Sequence, residues 1–128
     1  FDHVLQRAAL GETQHLISDK FSMPTLTHDV VQWVGLLLEA EASGIYHLCN
    51  RGEPESWYSY AVEVCRLAGG FGDDVKLDDL VATALADVDF FRERRPVHTT
   101  MVPARMMAEG IATPRHWLDA AKDYLKMR

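Results

Sequence analysis

Cysteine is scarce: Cys49 and Cys65 are the only two in 128 residues. Two thiols exclude a disulfide scaffold, and with no CxxC pair they give zinc no sequence support. Long apolar runs are missing too. None approaches the roughly 20 residues of a membrane-spanning helix, and the longest is interrupted by Gln32 and Gly35. Positive charge is short: 13 Lys and Arg stand against 19 Asp and Glu, a net charge of −6. That balance excludes broad electrostatic capture of a nucleic acid polymer or an anionic membrane. The usual catalytic signatures are absent as well. His3, His15, His28, His47, His98 and His116 form no HExxH pair, and there is no GxSxG elbow or Walker loop. Four residues after Tyr46, Tyr58, Tyr60 and Tyr124 come Asn50, Val62, Val64 and Arg128, so no tyrosine has the lysine that would make it a carbonyl acid.

What is present is the composition of one globular domain: 48% apolar and 25% charged. With two cysteines and no apolar run of membrane-spanning length, a soluble, reducing, cytoplasmic setting is the default expectation. The chain opens at Phe1 already inside a helical pattern, which reads as a piece of a longer protein.

Helical spacing runs over residues 2–10, with Asp2 as cap or first-turn anion and Gly11 as the stop. Residues 14–18 read as a short strand. Thr27 should cap a strong helix reaching about Glu41, with Asp29 in its first turn and Val30, Val31, Val34, Leu37 and Leu38 on its apolar face. Residues 45–49 read as a buried strand. Ser56 caps the next helix, whose buried set is Trp57, Tyr60, Ala61, Val64, Cys65 and Ala68; Gly69-Gly70-Phe71-Gly72 ends it. A weaker helix is predicted over 77–86. Pro103 suits the first position of a short helix closing at Gly110, and Thr113 and Pro114 should begin the last helix. The pattern is an α/β or α+β module, mostly helical, with a few short strands.

One segment looks chemically purposeful: Arg92-Glu93-Arg94-Arg95-Pro96-Val97-His98-Thr99-Thr100. Guanidinium forks match phosphate oxygens in bidentate geometry, so three arginines in one loop can grip a diphosphate. The plainer alternative is a solvated basic loop, or one pinned to a helix by an ion pair. The Gly69–Gly72 cluster follows a helix and not a strand, so it reads as helix termination and not as a dinucleotide loop. Both cysteines fall on apolar faces and read as small hydrophobes.

Several blocks then carry a resemblance. Asp19-Lys20-Phe21-Ser22-Met23-Pro24-Thr25 is followed by Asp29-Val30-Val31. Next come Gly44-Ile45-Tyr46-His47-Leu48, then Gly52 with Ser56-Trp57-Tyr58-Ser59-Tyr60-Ala61, then Arg95-Pro96-Val97-His98-Thr99-Thr100-Met101. Pro114, Trp117 and Tyr124-Leu125 close the pattern. Colinear over essentially the whole chain, these blocks resemble the C-terminal substrate-binding portion of the dTDP-4-dehydrorhamnose reductase family, a branch of the extended short-chain dehydrogenases/reductases. Lys20, Ser22 and His98 stand where that family has Gln, Gly and Asn, which leaves the exact sugar open.

The resemblance implies that residues 1–128 are a substrate-binding domain, α/β and mostly helical. The N-terminal dinucleotide-binding Rossmann domain, with its NADPH or NADH, would lie outside this chain. The parent would reduce a dTDP-4-dehydro-6-deoxy-sugar, while this chain would bind no cofactor and hold no catalytic or metal residue. By the same resemblance the sugar nucleotide is held by Arg95 and then Arg94, with Thr25 and His98 as further contacts. An apolar face left uncovered would favour a homo-oligomer. Two alternatives stay open: a non-catalytic regulatory or interaction protein on the same scaffold, and a related NAD-dependent epimerase or dehydratase.

Overall fold

A computed structural model describes residues 1–128 except Phe71, Asp73, Asp74, Phe90 and Arg92. The chain divides into two compact units, Phe1–Ser22 with Pro54–Thr99, and Met23–Glu53 with Thr100–Arg128.

The first unit opens with helix α1 (Asp2–Ala9), which buries Leu5 and Ala8 on one face. Gly11, at φ +67°, takes a backbone conformation costly for residues with a Cβ and lets the chain turn out of the helix. Strand β1 (Gln14–Ile17) follows. Its buried Gln14 donates its amide to Val4 O at 3.1 Å, which satisfies a polar group that would otherwise be costly there. β2 (Phe21–Ser22) pairs antiparallel with β3 (Glu55–Ser56), and β3 runs straight into α3 (Trp57–Gly70). Ser56 Oγ accepts the Ser59 amide at 3.0 Å, an N-cap of the kind its sequence position implies. Tyr60, Ala61, Val64, Cys65 and Ala68 are buried on α3 as the spacing predicts, with Trp57 partly exposed. Ala61, Cys65 and Ala68 keep that face small, so α3 packs closely on α1 and β1.

The helix predicted over 77–86 is not formed. A 3-10 turn (Leu77–Asp79) leads into β4 (Leu80–Thr83), and a second 3-10 turn (Leu85–Asp87) follows. β4 lies parallel to β1, from Gln14 opposite Leu80 to Ile17 opposite Thr83. The open edge of β1 offers a ladder of backbone partners, and that tertiary opportunity outweighs a weak helical periodicity.

The second unit is built on helices α2 (Thr27–Glu39), α4 (Ala104–Ala108) and α5 (Trp117–Met127). Here the sequence reading needs five corrections. Thr27 is the first helical residue of α2 and not its cap: Leu26 holds the cap position with no side-chain bond. The buried residues of α2 are Asp29 and Trp33, whereas Val31 and Leu38 are 70% and 74% exposed. Residues 45–49 form no strand. Ile45 is 79% exposed, and pairing starts only at Arg51, whose amide donates to Arg115 O and whose carbonyl accepts from Trp117 N. Pro103 caps α4 instead of entering it, and α5 begins at Trp117 with the His116 ring as its cap, beyond Thr113 and Pro114.

Trp117 is almost wholly buried. Gly52, at φ +146°, passes so close that a Cβ there would lie 2.6 Å from Trp117 Cδ1, so only glycine fits. No helix among the described residues is long and apolar enough to cross a membrane.

Candidate functional site

The first unit carries a cleft of about 350 Å³, at the small end of the range ligand sites occupy. Leu85, Val88, Phe91 and Val97 give it apolar lining, and Asp19, Glu93, Arg94 and Arg95 give it charge. Its walls are fixed from the segment that follows β1. Ser18 N continues the strand by donating to Thr83 O at 2.9 Å. Asp19 Oδ1 accepts the Leu85 amide at 2.7 Å, and Lys20 Nζ donates to Pro96 O at 2.8 Å. Phe21 N donates to Val97 O, and Thr99 N returns a bond to Phe21 O, which draws 97–99 alongside β2.

Arg94 and Arg95 are exposed at this cleft. The Arg95 guanidinium lies 5.2 Å from the centre of the Phe91 ring, a cation–π distance. Among the described residues neither arginine meets a carboxylate. Arg7, Arg66, Arg105 and Arg115 do: each forms an ion pair. Arg92, the third arginine of the loop, lies outside the described residues, as does Phe71 of the glycine cluster.

The other two residues singled out in the sequence sit elsewhere. The His98 ring stacks on Phe21 at 4.7 Å and 8° and does not line the cleft. Thr25 belongs to the second unit, where its hydroxyl donates to Met23 O and accepts from Asn50 N, both at 3.4 Å. The Met23 bond is the local pattern of a turn hydroxyl, and the Asn50 bond ties that turn to a distant stretch of the same unit.

A larger groove of about 530 Å³ lies on the second unit, beside Asp29, Trp33, Arg115 and Asp123. Its charges are already spent on one another. Asp29 accepts from Arg115 Nε at 2.9 Å, from Arg115 Nη2 at 2.8 Å and from Asn50 Nδ2 at 2.7 Å. Arg115 also pairs with Asp123, which in turn takes Lys126. Burial pushes the Asp29 carboxyl upward, but the bonds from Arg115 and Asn50 outweigh it and leave the carboxyl below its usual range.

The model of the family described as RmlD substrate binding domain matches residues 1–128. The chain belongs to that family. Among curated proteins, this RmlD-type domain is 27% identical over 125 residues to the spore coat polysaccharide biosynthesis protein SpsK of Bacillus subtilis, covering 98% of the chain and 41% of SpsK. It is 30% identical over 111 residues to the dTDP-4-keto-6-deoxy-D-glucose reductase of Streptomyces niveus, covering 87% of the chain and 36% of that protein. The chain thus spans less than half the length of these relatives. A solved dTDP-4-dehydrorhamnose reductase from Bacillus anthracis, in complex with NADP, superposes with a TM-score of 0.84 at 15% identity, over 99% of this chain and 42% of that one. The α/β fold with few short strands is therefore that of the reductases' substrate-binding portion.

The glycine cluster of the RmlD-type domain does not fit the phosphates of a dinucleotide. Gly69 and Gly70 close α3, where helix carbonyls and the negative dipole end repel phosphate. Among the described residues no group of three His, Cys, Asp or Glu is placed to hold a metal ion. The sequence reading missed the cleft-forming roles of Asp19 and Lys20. Their only signal was position, at the end of a strand and within a block shared with the family.

Proposed function

We propose that this domain holds the nucleotide diphosphate of a dTDP-4-dehydro-6-deoxy-sugar while the remainder of a longer parent, using NADPH or NADH, reduces the sugar. In the parent, the nicotinamide would supply hydride for the C4 carbonyl carbon and a tyrosine outside this chain would supply the proton for its oxygen, while Arg94 and Arg95 would hold the diphosphate. Residues 1–128 then form the C-terminal substrate-binding domain beside a Rossmann domain. The observation that carries the reading is the pair Arg94 and Arg95, both without a carboxylate among the described residues and both at a cleft. An exposed guanidinium that forms no ion pair among the described residues is free to take two phosphate oxygens. The names of the relatives supply the chemistry: one is a dTDP-keto-sugar reductase and another was solved with NADP. His98 serves the loop by its stack on Phe21, and Thr25 stays a candidate contact to the nucleotide or sugar on the resemblance alone. The free thiols of Cys49 and Cys65 suit a cytoplasmic setting. The exposed α2 stripe of Val31, Val34 and Leu38 suits self-association.

Calorimetric titration of the chain with dTDP tests the clamp. Arg95→Ala should weaken binding about tenfold, the worth of one charge-assisted contact, and Arg94→Ala by less. Affinity that Arg95→Ala leaves unchanged would remove the assignment.

A further inference from the structure

We propose that Lys20 is a positioning residue for the arginine clamp, a role that rests on the diphosphate reading above. The residue is 6% exposed, an unusual place for an ammonium, because burying a charge is costly unless something compensates it. Two groups compensate it here. Nζ donates to Pro96 O at 2.8 Å and lies 5.4 Å from the centre of the Trp57 ring. Pro96 directly follows Arg95, so the tether fixes the backbone that carries the clamp.

The neighbouring residues fit the same purpose. Asp19 and Lys20 are consecutive, and their side chains take hold of two different stretches of the cleft lining. Asp19 holds Leu85; Lys20 holds the Arg95-Pro96 stretch. Trp57, under the ammonium, is itself fixed: its amide donates to Lys20 O at 3.1 Å and its indole Nε1 to Ser22 Oγ at 3.0 Å. Among the described residues, 91 and 93–99 lie outside any helix or strand. An untethered loop would have to order its arginines at the moment of binding, and that entropy is charged against affinity. A charge-assisted bond from a buried lysine removes most of this cost beforehand.

Lys20→Met keeps the apolar stem but ends at Cε, deleting the donor; Lys20→Arg keeps a donor and a cation over the indole. Amide hydrogen exchange and dTDP calorimetry are read on the whole chain for both variants, alongside Arg95→Ala. Lys20→Met should speed exchange at Phe21 and Thr99 about tenfold, leave Val64 and Cys65 of α3 unchanged, and weaken dTDP about tenfold. Lys20→Arg should restore both. If Lys20→Met does not fold, Lys20→Gln, uncharged and one chain atom shorter, should show the same losses. If Arg95→Ala weakens dTDP while Lys20→Met changes neither readout, the positioning role is wrong and the clamp stands. If exchange rises while both Arg95→Ala and Lys20→Met leave dTDP affinity unchanged, the diphosphate reading falls, and the role built on it falls too.

Discussion

Asp29 shows how much a single carboxylate can decide. It is 5% exposed and takes three donors, two from Arg115 and one from Asn50. Removing one partner of a buried pair leaves the other charge without compensation, so Asp29→Asn should cost about 2–3 kcal/mol of stability in denaturant titration. The pH dependence follows from the direction of the shift. The folded carboxyl lies below its unfolded value, so its contribution is complete above the usual ~3.9 and is lost as the pH falls through the lower folded value. Stability of the native chain should drop across that acidic window more steeply than that of Asp29→Asn. In the sequence Asp29 read as a first-turn residue, which it also is. Its partner Arg115 lies far along the chain, and nothing local signals a pairing of that kind.

Elements differed sharply in how legible they were. Helix α3 could be read almost completely, because its cap, its apolar period and its glycine stop all agree. Ser56→Ala should cost about 1 kcal/mol, seen as a lower thermal midpoint, since the Ser59 amide loses its acceptor. Residues 77–86 were misread because Leu77, Leu80, Val81, Ala84 and Leu85 satisfy a helical template, while their real determinant is the free edge of β1. Residues 45–49 failed in the opposite way. β-propensity makes a strand only where another backbone accepts it, and here Ile45 O takes the Arg105 side chain instead. For α2 the apolar stripe was real, but the Asp29–Arg115–Asn50 bonds rotate Asp29 and Trp33 inward and leave Val31, Val34 and Leu38 outward. The arginine loop was picked out by composition alone. Its cleft was not, because the anchors at Asp19 and Lys20 act across the tertiary fold.

For the molecule as a whole, net charge −6 and an exposed apolar stripe pull against each other. Repulsion keeps copies apart and the stripe draws them together. Light scattering should therefore show a mass that rises with protein concentration and more strongly with salt, and Val34→Glu with Leu38→Glu should abolish the rise. The two units also have a consequence in time. Each is assembled from two separated stretches: Gln14 must wait for Leu80 before its strand finds a neighbour, and Asp29 must wait for Arg115. A ribosome releasing the chain from its N-terminus therefore delivers the first half of both units before the closing half of either. A nascent chain halted near Pro54 should be cut readily by protease, and resistance should appear only after Thr99 and then Arg128 have emerged.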